Sequence, residues 1–146
     1  MKLFDETQKS TFAYWFAHWK AFNLVAMLLG VWKFKYLFHD IEKPFLMWLW
    51  KDYPRVRNYH RTHARHHWQY QGNKGYDYQA MVIDWECSRF TKKDAQMNAY
   101  ETSLWDRVHH PEYAIEIERN IDPILLDLGL YGIRNSKIDL NAQRKP

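Results

Sequence analysis

Glycine and proline, the residues that break helices, are few in this chain, and long segments contain neither of them. Only five Gly and five Pro occur among 146 residues, and β-branched runs are scarce. Gly and Pro cost the most free energy in a helix interior, so their scarcity favours helices throughout the chain. We therefore predict an all-α fold, a compact bundle of about six helices with no convincing strand.

Caps and breakers set the limits of the predicted helices. Ser10 or Thr11 can cap the first helix and Gly30 ends it, whereas Lys43-Pro44 ends the second, because α geometry is disfavoured before proline. Pro54 suits the first turn of a helix. Five of the predicted helices cover residues 7–29, 31–42, 54–67, 76–90 and 111–128, and the last of them is broken near Asp122-Pro123. A sixth is capped by Thr91 with Asp94 and ends near Val108. An aromatic helical turn is predicted at residues 45–50 and a loop at residues 71–75.

Length and composition predict one domain, residues 1–132, followed by a polar tail, residues 133–146. The longest uncharged run, residues 21–32, lies between Lys20 and Lys33. A bilayer span needs about 20 apolar residues, so we expect this run to be core rather than membrane. The single cysteine, Cys87, fits a reducing compartment. We expect a cytoplasmic protein without a membrane segment or signal peptide.

Positive charge is concentrated in residues 51–74. The chain carries a formal charge of +4, and this region holds six basic residues, one acidic residue and four histidines. Such a region attracts anions. A charge run is usually a solvated helix face, but the interleaved histidines indicate a binding site.

A His-Asp doublet, His39-Asp40, ends an apolar segment, and a neutral imidazole and a carboxylate can both ligate one divalent cation. If the first two helices form a hairpin folded at Gly30, His18 and His39 lie at similar depth. The same construction around residues 73–74 pairs His63 with Asp84. Two such hairpins packed face to face would close a four-helix metal site.

Each candidate ligand has an ordinary structural alternative. His18 can be a satisfied core histidine, and Asp84, in an apolar run, can pair with an arginine, since an unpaired buried carboxylate is costly. His60, His63 and His67 recur at offsets of three and four and are expected on one helix face. The ordered set as a whole favours metal binding.

The order His, then His-Asp, then Asp on successive helices resembles the HD-domain superfamily of metal-dependent phosphohydrolases. The residues that carry the resemblance are His18, His39-Asp40 and Asp84, with Lys43 completing a His-Asp-x-x-Lys signature. More narrowly, His66-His67-Trp68, His60 and Asp84-Trp85 resemble small bacterial and phage proteins. The His-Asp phosphodiesterases of the HD-GYP kind have a His-His-Glu motif. In this chain, Trp68 stands at the position of that glutamate.

The resulting hypothesis is hydrolysis of a phosphate ester by a metal-activated water. His18, His39, Asp40 and Asp84 hold one Mn, Fe, Co, Ni or Zn ion, and a second ion would use His63 or His67 with a bridging Asp40. The hypothesis assigns Lys43 to the phosphate, with Arg57 and Arg61 as further contacts, and assigns protonation of the leaving oxygen to His60, His63 or His67. The alternative for Lys43 is a structural role at the C-terminal end of the predicted second helix, where a positive charge interacts favourably with the helix dipole.

The resemblance implies a nucleotide-type phosphate ester as the small-molecule substrate. Trp68, Tyr70, Tyr76 and Tyr78 could stack on a base or simply pack in the core. Two alternatives are an HD-fold di-iron oxygenase and a non-catalytic, metal-stabilised protein that binds nucleic acid or a partner. The sequence leaves the oligomeric state open, and a homodimer is compatible with it.

Overall fold

Every regular element in the described residues, 11–91 and 97–131 of the computed structural model, is helical. The all-α prediction is therefore confirmed for this part of the chain. The structure divides into two compact units, residues 1–77 and residues 78–146. A single domain over residues 1–132 stays a prediction, and the expected tail, 133–146, lies outside the described residues. Within the described ranges, no helix has the length and apolar character needed to cross a membrane.

The first unit begins with the helix that the sequence predicted best. Thr11 caps it, because its side chain accepts a hydrogen bond from the Tyr14 N–H at 3.1 Å. Gly30 follows its end with φ of 72°, a conformation that glycine adopts without strain. The predicted start at residue 7 lies outside the described residues. The elements of this unit are α1 (Phe12–Leu28), a 3₁₀ helix (Phe34–Phe38), α2 (Glu42–Trp50) and α3 (Tyr53–His63).

The prediction of a second helix over residues 31–42 is wrong. The short 3₁₀ helix ends before His39, and a turn follows in which Asp40 has φ of 55°. Pro44 does not end a helix but lies in the first turn of α2. The backbone N–H groups of a first turn have no partner within the helix, so a proline there loses no helix hydrogen bond.

The third predicted helix ends earlier than expected, at His63 rather than His67. Ala64 is extended, with φ of −89° and ψ of 125°. The chain then folds back, because Arg65 donates hydrogen bonds to the carbonyl oxygens of Gly75 and Lys74 at 2.9 and 3.0 Å. His66 and His67 therefore lie on a loop, and the expected helix face shared by His60, His63 and His67 does not include His67.

The second unit has a core of apolar residues from its C-terminal helical segment, including Ile117, Ile121 and Leu125, which are fully buried. Its elements are α4 (Tyr78–Thr91), α5 (Ala99–His109), a 3₁₀ helix (Pro111–Tyr113), α6 (Ala114–Glu116), a π-helical turn (Ile117–Ile121) and α7 (Asp122–Asp127). The π-helical turn directly precedes the predicted break.

The predicted cap at Thr91 is wrong, since Thr91 is the last residue of α4. Asn98 caps α5 instead, and its side-chain oxygen accepts a hydrogen bond from the Glu101 N–H at 2.7 Å. Asp94, the proposed partner of Thr91, lies outside the described residues. Asn is as good an N-cap as Ser or Thr, so Asn98 was the signal to read.

Candidate metal centre

The centre of the first unit is the carboxylate of Asp40, which is buried. Asp40 is placed by the left-handed turn between the 3₁₀ helix and α2, a conformation that Asp tolerates better than most residues. The indole Nε1–H of Trp15 on α1 donates a hydrogen bond to the Asp40 carbonyl oxygen at 2.8 Å. This contact fixes the turn against α1.

Four imidazoles surround this carboxylate, each through its Nε2 atom. His39, His60 and His66 approach Oδ1 of Asp40 at 3.4, 3.2 and 3.4 Å. His18 approaches Oδ2 at 3.5 Å. All four histidines are buried. Buried imidazole nitrogens directed at one carboxylate are the usual composition of a transition-metal site.

His18 and His39 meet as the sequence predicted, although His39 is not on a helix. Their Nε2 atoms are 3.3 Å apart. The ring of His39 stacks on Phe22 of α1, with centroids 3.6 Å apart and an interplanar angle of 11°. Phe22 lies one helical turn beyond His18, so the same helix positions both imidazoles.

His60 and His67 join the cluster from α3 and from the loop that follows it. The Nε2 atoms of His60 and His67 are 2.9 Å apart. On the other side of the His60 ring, Nδ1 is hydrogen-bonded to Oε1 of Glu42. His60, His66 and His67 offer ligand atoms within 4.8 Å of one another, as do Asp40, Glu42 and His60.

The electrostatic surroundings fix the charge states of the acidic groups. Burial acts to raise the pKa of Asp40, but His39, Lys43 and His60 lower it, and the net result is a pKa well below the usual value. Burial likewise acts to raise the pKa of Glu42, and its contact with His60 lowers that pKa below the ordinary value. Both side chains are therefore carboxylates.

The pKa of His60 is shifted in the direction that suits a ligand. Burial lowers it, and this outweighs the opposite effect of Asp40. A neutral imidazole has one nitrogen lone pair available for a metal ion, whereas an imidazolium has none.

Lys43 lies in the first turn of α2, and its Nζ is 2.7 Å from Oδ2 of Asp40. In the predicted second helix, Lys43 would lie four residues after His39 and share its face, but this expectation is wrong because His39 precedes α2. Lys43 reaches the centre because the turn at Asp40 reverses the chain. Its ammonium group balances the carboxylate and can meet an anion there.

A cavity of about 330 Å³ adjoins the cluster, and its lining includes Asp40, Glu42, His60, His63 and His66. His63 is exposed, and its ring stacks on Tyr59 with centroids 4.0 Å apart. Its Nδ1 contacts the Tyr59 carbonyl oxygen at 2.9 Å. His63 therefore borders the cavity without entering the group around Asp40.

The remaining predicted site residues are Asp84 in the second unit and two arginines, Arg57 and Arg61, on α3. Asp84 is on α4, half-buried, and its role as a ligand stays a prediction. Arg57 lies over the Tyr53 ring at 5.8 Å, and Arg61 is exposed. Their phosphate contacts, like the stacking roles of the aromatic residues, stay predictions.

The sequence interpretation passed over two residues of the centre. His66 was counted among the histidines that could join the metal site but was assigned no specific role, and Glu42 was given none. The spacing of Glu42, two residues after Asp40, was the available signal, because a turn can bring both carboxylates to one site.

The residues around Asp40 fit a metal ion. Oδ1 of Asp40 is buried, and among the described residues no donor reaches it with hydrogen-bond geometry, although three imidazole nitrogens lie within 3.4 Å of it. A cation between the carboxylate and the imidazoles would satisfy that oxygen and the nitrogen lone pairs together. The buried His and Asp side chains, with Glu42 beside them, can therefore bind a metal ion.

No protein-family model, curated protein or solved structure matches this chain. The resemblance to the HD-domain superfamily stays a prediction from the sequence.

Proposed function

We propose that this protein is a metal-dependent phosphohydrolase acting on a nucleotide-type phosphate ester. The observation that supports the proposal is the convergence of four imidazole Nε2 atoms on the buried Asp40 carboxylate. The adjoining cavity supplies room for a substrate next to that group. The substrate class itself comes from the sequence resemblance.

In this proposal, His18, His39 and Asp40 hold a Mn, Fe, Co, Ni or Zn ion. A divalent cation bound there acts as a Lewis acid and lowers the pKa of its bound water towards about 7. His60, His66 and His67 form a second set of imidazoles that shares Asp40 with the first. With a single ion, His60 and His66 would be further ligands beside Asp40. A second ion would use the whole of this set.

Side chains of the protein bind the phosphate ester and supply the proton that the leaving oxygen needs. The Lys43 ammonium group lies beside Asp40 and can turn towards a phosphate oxygen in the cavity. His63 borders the cavity, where its imidazole can donate a proton to the leaving oxygen. The basic charge of residues 51–74 attracts the anionic substrate.

The proposal is tested by elemental analysis of protein purified without chelator, followed by a phosphate-release screen across nucleotides with each of the five metals. We expect bound metal, and phosphate release that Asp40→Asn abolishes while circular dichroism stays unchanged. Glu112→Gln is the matched control, because Glu112 is an exposed carboxylate beside His110. Protein that binds none of the five metals would contradict the proposal. Salt-sensitive nucleic-acid binding that survives Asp40→Asn would instead support the binding alternative.

The number of histidines favours one second candidate, a di-iron oxygenase. Five imidazoles, those of His18, His39, His60, His66 and His67, lie in linked contacts around Asp40. Two irons bridged by a carboxylate would use such a set. Protein that retains iron, shows an oxygen-sensitive absorbance band and releases no phosphate would favour this reading.

A further inference from the structure

Glu42 touches the metal centre from the outside, through His60. Its Oε1 atom is hydrogen-bonded to Nδ1 of His60, whereas Nε2 of His60 is the atom that approaches Asp40, at 3.2 Å. The two nitrogens of this ring therefore serve different partners. One partner is the half-exposed carboxylate of Glu42, and the other is the buried centre.

The contact with Glu42 decides where the proton of His60 lies. An ionised carboxylate only accepts hydrogen bonds, so Nδ1 of His60 carries the hydrogen and donates it to Glu42. In the neutral ring, Nε2 then keeps its lone pair. That lone pair faces Asp40 Oδ1 and lies 2.9 Å from His67 Nε2, inside the group of candidate ligands.

The local backbone conformation places Glu42 beside the His60 ring. Asp40 occupies the left-handed turn, and Glu42 is the first residue of α2, which begins directly after that turn. One bend in the chain thus delivers both carboxylates, Asp40 to the centre and Glu42 to the outer side of the His60 ring. The Asp-x-Glu spacing therefore places the two carboxylates on different sides of His60.

We propose that Glu42 is a positioning residue that holds His60 in the Nδ1–H tautomer, so that Nε2 is its metal-ligating atom. This inference rests on the metal centre of the proposed function. Carboxylates that hydrogen-bond a ligating histidine orient the ring and increase its basicity, and their loss costs about 10–100-fold in metal affinity. Glu42 acts through His60 and does not itself bind the ion.

The test compares Glu42→Ala and Glu42→Gln with the wild-type protein and with Glu112→Ala. Glu112 also lies beside a histidine, with its Oε1 3.7 Å from His110 Nδ1, but the pair is on the surface. The tautomer of His60 is measured in the metal-free protein by ¹⁵N NMR of the imidazoles, with His60→Asn to assign the signals. Zn²⁺ affinity is measured by competition with a chromogenic chelator.

We expect wild-type His60 to be protonated at Nδ1 alone. Glu42→Ala should mix the two tautomers and lower Zn²⁺ affinity by about 10–100-fold. Glu42→Gln keeps a carbonyl acceptor, so it should retain most of the Nδ1–H tautomer and most of the Zn²⁺ affinity. Glu112→Ala should change neither the tautomer nor the affinity. An unchanged His60 tautomer in Glu42→Ala would overturn the inference. So would a loss of affinity in Glu42→Gln as large as in Glu42→Ala with the tautomer retained, because Glu42 would then be a direct ligand.

The inference and the proposed function fail in different ways. If the wild-type protein binds no Zn²⁺ or other candidate metal, the proposed function fails. The tautomer comparison in metal-free protein still decides whether Glu42 fixes the His60 ring.

Discussion

Both units bury a carboxylate, and the two are neutralised in different ways. In the second unit, Glu86 Oε1 pairs with Arg89 Nη2 at 2.9 Å, and Oε2 accepts a hydrogen bond from the Ala99 N–H, also at 2.9 Å. In the first unit, the Lys43 ammonium group lies 2.7 Å from Oδ2 of Asp40, but the four imidazole nitrogens approach this carboxylate only to 3.2–3.5 Å. Charge-assisted hydrogen bonds are about 2.7–2.9 Å long. Glu86 therefore has the contacts of a structural group, whereas most of those around Asp40 suit an ion between ligands.

This comparison predicts that Glu86 matters for stability and not for metal binding. Glu86→Ala leaves the Arg89 guanidinium buried without its carboxylate and removes the acceptor at the start of α5. We expect the free energy of unfolding to fall by about 3–5 kcal/mol, as for other broken buried ion pairs. Urea denaturation measures this loss. The metal bound per folded molecule should stay the same, and a drop in that ratio would contradict the distinction between the two carboxylates.

Asp40→Asn tests the other half of the comparison. Asn also tolerates the left-handed turn, so the variant should fold while losing the negative charge. We expect Zn²⁺ affinity to fall by more than about 100-fold, which corresponds to about 2.7 kcal/mol. Chelator competition measures the affinity, and circular dichroism checks the fold. Unchanged affinity in a folded variant would remove Asp40 from the metal site.

Metal addition should stabilise the protein only where Asp40 is intact. At a free metal concentration about 100 times the Kd, binding to the native state adds about 2.7 kcal/mol to the free energy of unfolding. We expect this increment in the wild-type protein and in Glu86→Ala, and less than about 0.4 kcal/mol in Asp40→Asn at the same concentration, because its affinity is more than about 100-fold lower. Equal increments in all three proteins, measured by urea denaturation, would place the metal elsewhere.

The positions of the helices were more predictable than the details of the centre. Thr11 and Gly30 bound α1 as expected, because caps and breakers act locally. Pro44 misled the prediction, since the rule for the residue before proline is a bias and a first turn accepts proline. His18 and His39 were correctly paired because the pairing needed only a chain reversal near Gly30.

The contribution of His66 depended on contacts that no local pattern shows. Arg65 binds carbonyl oxygens nine and ten residues away in sequence, and the Asp77 N–H returns a hydrogen bond to the Arg65 carbonyl oxygen at 2.8 Å. These contacts end α3 at His63 and place His66 beside Asp40. A helical periodicity continued through His67 could not anticipate them.

The smallest predicted effect separates His66 from His63. His66 is buried, with Nε2 3.4 Å from Asp40 Oδ1, so His66→Ala should lower Zn²⁺ affinity by about tenfold, or about 1.4 kcal/mol. His63 is exposed and stacked on Tyr59 at the cavity edge, so His63→Ala should leave Zn²⁺ affinity unchanged and lower only the turnover of the phosphate ester. Chelator competition and phosphate release, measured on both variants, give the two readouts. The reverse pattern, with metal affinity lost in His63→Ala and kept in His66→Ala, would mean that the ion sits in the cavity instead of at the buried carboxylate. The cluster around Asp40 would then be a hydrogen-bonded core like the one around Glu86.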